Sequence, residues 1–156
     1  MSNMKKILAA ATFTAICSVT LLGTAWADVA ENKRSAVAFL NLIFQEKIDE
    51  AFDKYVGAQY VQHNPKFPDG VEGTKAKYKQ MMAKEDRSKP ALTYEAIKIV
   101  GEGDYVVVHG RVHPADRPDA SLMDWFKFDK GKIVEQWQVI EEAPPNPANN
   151  NTMFGK

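Results

Sequence analysis

The feature that most constrains the fold is an alternating pattern in the last third of the chain, from Ser121 to Val139. Leu122, Phe126 and Phe128 share one face of the segment before Lys130-Gly131, a dipeptide suited to a tight turn, and further apolar residues follow it. The pattern predicts two antiparallel strands joined as a hairpin. It also places the carboxylate of Asp124 on a strand face with apolar residues, where burial is costly unless the group is paired or used.

Two further strands are predicted between Pro90 and Pro114. The first covers residues 91–100, and a Gly-containing turn at 101–104 connects it to the second strand, Tyr105–His113. Alternation divides the second strand into two faces. One face carries Val106, Val108, Gly110 and Val112, and the other carries Tyr105, Val107, His109, Arg111 and His113.

The preceding part of the chain has helical spacing. Apolar residues follow one face over Glu31–Gln45 and again over 48–56, where Gly57 is the expected C-cap. A loop is expected over Tyr60–Pro68, which contains two prolines and an Asn-Pro step. A third helix is expected over Gly73–Arg87.

The cap of this third helix is predicted to be Thr74 or Asp69. Helices followed by four consecutive antiparallel strands are typical of an α+β fold. One curved sheet with the helices packed over its concave face would enclose a pocket between the two layers, and such pockets are mostly apolar with a few polar groups.

Residues 1–27 have the composition of a secretory signal peptide. Lys5 and Lys6 precede an uncharged apolar run at 7–22, and Ala25-Trp26-Ala27 is a small-x-small cleavage site. An uncleaved membrane anchor is the alternative, but the run of about 16 residues is shorter than the roughly 20 that a spanning helix needs. We expect bacterial-type export, to the periplasm or the medium, and no stable membrane insertion after cleavage.

Cleavage after Ala27 would remove Cys17, the only cysteine. That would exclude cysteine catalysis, disulfides and thiolate metal sites. Two of the 20 basic residues would also leave, so that 18 face 20 acidic residues and no basic face for nucleic acid is expected. The rest fits one domain, predicted at 28–142, and a Pro/Asn-rich tail at 143–156 in which Met153-Phe154 has the character to dock on a surface.

Three segments of the chain resemble the SnoaL-like, polyketide cyclase-like branch of the nuclear transport factor 2-like superfamily. They are Tyr60-Val-Gln-His-Asn-Pro65, Gly103-Asp-Tyr-Val-Val-Val-His109, and the hairpin from Asp124-Trp-Phe-Lys-Phe to Gly131-Lys-Ile-Val-Glu-Gln-Trp-Gln-Val139 with the tail Asn151-Thr-Met-Phe154. The resemblance spans residues 32–154. It implies a cone-shaped α+β fold that encloses a pocket, and a homodimer formed through the convex sheet face.

In family members that are enzymes, the pocket holds an acid/base carboxylate and histidines. Their reactions include intramolecular aldol closure, isomerisation, dehydration and hydrolysis. The resemblance thus implies a small apolar, carbonyl-containing ligand and no cofactor. This sequence departs from the family in the last strand, where Gln136 and Gln138 replace the His and Asp of Glu-His-Trp-Asp-Val. An amide orients a carbonyl but cannot exchange a proton near neutral pH.

Acid/base chemistry would therefore fall to Asp124 as general base or acid, with His109 and His63 orienting or polarising the ligand. Predicted ligand-binding residues are Gln138, Tyr60, Trp125 and Trp137. Structural roles remain open for all of them: a charge pair for the carboxylate, hydrogen-bonded positions for the histidines, and core positions for the aromatic rings. His109 and His113 share a strand face but lie about 13 Å apart, too far for one metal ion, and we predict no metal site.

The register of the last hairpin decides whether the two glutamines bear on Asp124. With a two-residue turn at Lys130-Gly131, Asp124 pairs with Trp137. With a three-residue loop, its neighbour is Gln136 and both glutamines face the same side as Asp124. The sequence leaves both registers open. It also leaves open two functions without catalysis: a periplasmic module that binds a small ligand, and an interaction domain whose sheet face only dimerises.

Overall fold

The computed structural model describes residues 21–85, 88 and 91–155, with side chains from Asp28 onward. Three helices come first: α1 (Leu21–Phe44), α2 (Ile48–Tyr55) and α3 (Gly70–Met82). The five strands are β1 (Val56–Gln62), β2 (Thr93–Glu102), β3 (Tyr105–His113), β4 (Ala120–Asp129) and β5 (Lys132–Glu142).

The strands form one curved, unclosed sheet in the order β1-β5-β4-β3-β2. Strands β2 to β5 make the predicted antiparallel meander, whereas β1 runs parallel to β5. The predicted α+β fold is therefore confirmed, with the correction that the sheet is mixed and has a fifth strand.

Strand β1 corrects two local predictions. Gly57, expected to cap a helix, and Tyr60, expected to begin a loop, both lie in this strand. Helix α2 ends at Tyr55, and its C-cap is Val56, which already has extended backbone angles. The strand is at the edge of the sheet and buries only Val56, Tyr60 and Gln62, so its sequence lacks a regular apolar alternation.

Helix α3 begins three residues earlier than predicted because Asp69 caps it. The Asp69 carboxylate accepts a hydrogen bond of 2.8 Å from the backbone N–H of Gly70. Thr74 lies inside the helix, and its hydroxyl donates to the carbonyl of Pro68 at 3.2 Å. The helix ends at Met82, short of the predicted end at residue 87, which lies outside the described residues.

Helix α1 begins at Leu21, inside the predicted leader. The first 20 residues of that leader, with its basic residues and most of its apolar run, lie outside the described part of the chain. Within the described part of the chain, no helix has both the length and the apolar character that crossing a bilayer requires.

The core lies between the helices and the sheet face that they cover, here called the inner face. Phe39 of α1 packs edge-on against Phe52 of α2 at 5.4 Å and against Phe126 of β4 at 5.8 Å between ring centroids. Val106 and Val108 of β3 are fully buried on the same face, as the alternation of that strand predicts. Burial of each such side chain stabilises the fold by roughly 1.5–3 kcal/mol.

The opposite, outer face of the sheet carries the alternate residues of the same strands. The C-terminal tail returns to this face through Phe154, whose ring lies beside that of His109 at 6.4 Å between centroids. The guanidinium carbon of Arg111 lies 4.8 Å from the centre of the Phe154 ring, which is a cation–π contact.

Candidate functional site

The register of the β4–β5 hairpin brings both glutamines to Asp124. The turn has two residues, Lys130 and Gly131, both with positive φ, and Asp129 pairs with Lys132. A β-bulge follows, so that Phe128 pairs with Ile133 but Lys127 pairs with Glu135. Asp124 consequently faces Gln138. Both partners inferred from the sequence are wrong, because neither register included the bulge, yet the two glutamines do share the inner face with Asp124.

Asp124 is completely buried in the middle of β4. Its Oδ1 atom accepts two hydrogen bonds, from Gln136 Nε2 at 2.7 Å and from Gln138 Nε2 at 3.0 Å. Its Oδ2 atom has no hydrogen-bond partner among the described residues. Burial raises the pKa of Asp124 to about 7, although the two amide hydrogen bonds act in the opposite direction. The group therefore exchanges a proton near neutral pH.

Hydrogen bonds from neighbouring side chains fix the orientation of the Gln136 and Gln138 amides. Tyr60 Oη donates to Gln136 Oε1 at 2.6 Å, and Asn64 Nδ2 donates to Gln138 Oε1 at 3.2 Å. Gln62 Nε2 donates to Tyr60 Oη at 2.8 Å and so extends the network. Because each glutamine oxygen has its own donor, each amide nitrogen is directed toward the carboxylate.

The hydroxyl of Tyr78 also contacts both glutamine amides. It lies 3.3 Å from Gln136 Nε2 and 3.4 Å from Gln138 Nε2 and accepts from both. Burial raises its pKa, and the charge of Asp124 acts in the same direction, so the hydroxyl keeps its proton. Since both contacts use its oxygen as acceptor, its hydrogen is available to a ligand oxygen.

A cavity of about 320 Å³ adjoins this polar group, between α1, α3 and the sheet. Gln138, Tyr78 and Asn64 supply its polar end. Asp124 does not line the cavity but accepts a hydrogen bond from Gln138, which does. Most of the remaining wall is apolar. It consists of Leu40, Ile43, Phe44, Phe67, Met81, Met82, Leu92, Val112, Leu122 and Ile140.

Tyr94 of β2 contributes another buried polar atom without a partner among the described residues, its hydroxyl oxygen. Its ring stacks on Phe44 at 4.6 Å, with an angle of 4° between the planes. The ring also lies over Gly110, where a Cβ atom would come within 2.3 Å of it. Burial raises the pKa of Tyr94, with a further contribution from the charge of Asp124.

The structure divides the predicted site residues between the two faces of the sheet. Tyr60 and Gln138 belong to the network around Asp124, on the inner face. Trp125 and Trp137 pair with each other across β4 and β5 on the outer face, with ring centroids 5.8 Å apart. The two tryptophans therefore do not line the cavity, in contrast to the prediction.

Both predicted histidines also lie on the outer face. His63 stacks on Trp137 at 4.3 Å, and its Nε2 atom is 2.9 Å from Glu135 Oε2. His109 Nε2 is 3.0 Å from Ser121 Oγ. For His109 the reason is the alternation of the strand: His109 follows Val108, and Val108 points inward beside Asp124. Neither histidine is in a position to orient a ligand at Asp124.

Sequence reasoning missed three residues that the structure brings to the site: Asn64, Tyr78 and Gln62. Asn64 and Gln62 belong to the segment 60–65, which carries the family resemblance, and Tyr78 is on the predicted buried side of α3. Their positions were therefore signalled, but their convergence depends on the pairing of β1 with β5. Among residues 21–85, 88 and 91–155, no three His, Cys, Asp or Glu side chains converge as a metal site.

Comparison with known proteins gives a family match over most of the domain. The family model described as a SnoaL-like domain matches residues 36–136. No curated protein matches the chain.

Solved structures share the fold at low sequence identity. A protein proposed to be a polyketide cyclase from Acidithiobacillus ferrooxidans is 22% identical, with a TM-score of 0.59, and the match covers 71% of this chain and 88% of that one. An LEH-like epoxide hydrolase from M. tuberculosis is 19% identical, with a TM-score of 0.56 and coverages of 73% and 85%. A proposed ketosteroid isomerase from Kribbella flavida is 9% identical, with a TM-score of 0.65 and coverages of 83% and 96%.

Proposed function

Because the chain belongs to the family of SnoaL-like domains, we propose that its cavity binds a small, mainly apolar molecule with a carbonyl group. Its apolar wall would hold the body of the ligand, and the Tyr78 hydroxyl would donate to the carbonyl oxygen. Gln138, at the same end of the cavity, would help to orient that oxygen.

The proposed chemistry is proton transfer at the carbon next to the carbonyl, with Asp124 as the base. The C–H bond breaks as its proton passes to an oxygen of Asp124, a carbon–carbon double bond forms, and the carbonyl oxygen takes up the electron pair as an enolate. Tyr78 would stabilise this oxygen by hydrogen bonding. Return of the proton to another atom gives an isomerase, and attack of the enolate carbon on a second carbonyl gives an aldol cyclase. No cofactor enters this scheme.

One observation carries the proposal: a completely buried carboxyl group next to an apolar cavity, with one oxygen that has no partner among the described residues. A carboxyl with a pKa of about 7 is a much stronger base than a surface carboxylate and is still half ionised at neutral pH. Asp124 does not line the cavity, so the Gln138 amide has to turn from the carboxylate toward the ligand oxygen before Asp124 can reach the ligand.

The test uses a bicyclic ketone, 2-tetralone, in deuterated buffer, with loss of its α-protons followed by ¹H NMR. We expect the protein to accelerate exchange, and Asp124→Asn to slow the enzymatic rate by about 100-fold or more, because an amide cannot accept the proton. Asp129→Asn, a matched change at the exposed end of the same strand, should leave the rate unchanged. Equal rates for Asp124→Asn and the unchanged protein would contradict the assignment.

A binding module without catalysis is the second candidate. It is favoured by the position of Asp124, which is completely buried and does not itself line the cavity. In this case the buried carboxyl and its amides would only shape the polar end of the site. Saturable binding of the ketone without accelerated exchange would support this candidate over the enzyme.

We also propose that the protein is exported and forms a homodimer through the outer face of its sheet. Support for the dimer is an exposed aromatic strip, in which Trp125 is 50% exposed and lies between Tyr105 at 6.1 Å and Trp137 at 5.8 Å. Val139 on the neighbouring strand is 67% exposed. Exposed apolar patches of this kind are typical of protein interfaces. The case for export rests on the leader-like composition of residues 1–27.

A further inference from the structure

Cations outnumber anions among the charged residues that line the cavity. Four charged side chains belong to its lining: Lys66, Lys77, Arg117 and Glu85. Lys66 lies in the loop between β1 and α3, Lys77 lies on α3, and Arg117 lies between β3 and β4. Among the described residues, three cations and one anion thus line a cavity whose wall is otherwise mainly apolar.

The arginine in this set already has carboxylate partners. Arg117 Nη2 is 3.1 Å from Glu85 Oε1, and the guanidinium also lies 3.7 Å from Glu142 and 3.8 Å from Asp116. Its charge is therefore compensated, and the pair with Glu85 connects the segment after α3 to the loop between β3 and β4.

The two lysines differ from the arginine in this respect. Neither Lys66 nor Lys77 has an ion pair within the described part of the chain, and the contact of Lys77 Nζ is with the neutral amide of Gln80 at 3.5 Å. Each lysine is also close in sequence to a residue of the polar end, since Lys66 follows Asn64 by two residues and Lys77 precedes Tyr78. The same two segments therefore carry both the uncompensated charge and the hydrogen-bonding groups.

We infer that the ligand is an oxo acid: a small molecule with an apolar body, a ketone group and a carboxylate. This inference rests on the proposed function and adds the carboxylate. The ketone lies at Tyr78 and Gln138, the body contacts the apolar wall, and the carboxylate is held by Lys66 and Lys77. A cavity of about 320 Å³ is at the lower end of the range for ligand sites, which fits a molecule of one or two rings.

The test compares 4-oxo-4-phenylbutanoate, an anion, with its neutral methyl ester, which is larger by one methyl group, by isothermal titration calorimetry at pH 6. At this pH the acid is ionised and Asp124 is mainly protonated. The acid should bind more tightly than the ester. The difference should be about 2- to 5-fold for each lysine, the range for a solvent-exposed ion pair. An increase from 50 to 500 mM NaCl should weaken binding of the acid alone.

The double variant Lys66→Gln and Lys77→Gln should bind both compounds with the affinity that the unchanged protein shows for the ester. Lys79→Gln is the matched control, because Lys79 is on the same helix but pairs with Asp49 at 2.7 Å and does not line the cavity. It should retain the preference for the acid. Equal affinity of the unchanged protein for acid and ester would overturn the inference while leaving the proposed ketone site intact.

A separate variant tests whether the two ligands bind in the cavity. Met81→Trp adds a large ring to the wall of the cavity at a residue that is 40% exposed, so the change should be tolerated by the fold. It should weaken binding of both compounds, and circular dichroism should show an unchanged secondary structure. Binding of neither compound to the unchanged protein, or undiminished binding to Met81→Trp, would contradict the proposed cavity site as well as the oxo-acid inference.

Discussion

Ionisation of Asp124 opposes folding, because the buried carboxyl has a pKa of about 7 instead of 3.8. Between these two pH values the folded protein retains a proton that the unfolded chain releases. Its contribution to stability is therefore complete below pH 3.8 and is lost as the pH rises to about 7. A difference of about three units corresponds to at most about 4 kcal/mol in the free energy of unfolding.

The variant Asp124→Asn should remove this dependence, since the amide resembles the protonated carboxyl and still accepts from both glutamines through Oδ1. At pH 5 the variant should already be the more stable, by roughly 1–2 kcal/mol, because the unfolded chain has released the proton that the folded protein retains. At pH 8 this difference should rise to at most about 4 kcal/mol. Urea denaturation at the two pH values measures both differences, and other titrating groups cancel because they are common to both proteins.

A stability difference that is the same at pH 5 and pH 8 would contradict the raised pKa of Asp124. The exposed variant Asp129→Asn is the control for the same chemical change on the surface of the protein.

The alternation of side chains along β3 and β4 explains which site residues can be predicted from the sequence. The sequence places Asp124 with Leu122 and Phe126, and it places His109 opposite Val108, and both relations are correct in the structure. It does not say which face of β3 the helices cover. That depends on packing between segments far apart in the chain, so the alternation alone does not show that His109 lies on the face opposite the cavity.

Strands β2 and β3 approach each other closely at Gly110, which has no side chain. The Tyr94 ring of β2 occupies the space beside Gly110 of β3, and stacking on Phe44 holds the ring there. Because a Cβ at position 110 would lie 2.3 Å from the ring, the strand pair depends on this glycine.

Gly110→Ala should therefore destabilise the protein by about 1–3 kcal/mol, the usual cost of overpacking a core. The change should cost less in a Tyr94→Ala background, where the ring is absent, and a double-mutant cycle of thermal unfolding measures this coupling. Gly57→Ala serves as a control, because its new Cβ would come no closer than 3.3 Å to a valine methyl group, a much milder contact than the 2.3 Å at position 110. Additive effects of Gly110→Ala and Tyr94→Ala would contradict the steric explanation.

The strands differ in how well the apolar pattern of the sequence predicts them. Strand β3 was predicted with its correct bounds because it alternates regularly from Tyr105 to His113. Strand β1 was not predicted because its hydrogen bonds go to β5, more than 70 residues later, and its alternation is weak. The bulge in the β4–β5 hairpin leaves no signal in the apolar pattern, yet it decides that Gln138 faces Asp124.

One measurement on the whole molecule tests both the proposed export and the proposed dimer. Native mass spectrometry of protein recovered from the periplasm of an expressing bacterium should show a complex of two chains. Denaturing conditions should then give the mass of a single chain that begins at Asp28. In that case α1 would begin with Asp28 and Glu31, and negative charge at a helix N-terminus is stabilising.

Trp125→Arg tests the dimer separately. A two-fold interface would bring two copies of the new charge close together, so the complex should dissociate to monomers. Lys47→Gln, on the helical side of the molecule, should leave the dimer intact. A dimer that survives Trp125→Arg would place the interface elsewhere, and an intact mass that includes residues 1–27 would contradict cleavage.

The two amides beside Asp124 have a consequence for how the site titrates. Neither glutamine titrates, and burial raises the pKa values of Tyr60 and Tyr78 far above neutrality. The described network around the cavity therefore holds a single ionisable proton in the neutral range, in contrast to sites where two groups titrate as a coupled pair. Any property that depends on it, such as the carbon-13 shift of the carboxyl or the exchange rate of a bound ketone, should follow a simple sigmoidal titration curve with a Hill coefficient of one.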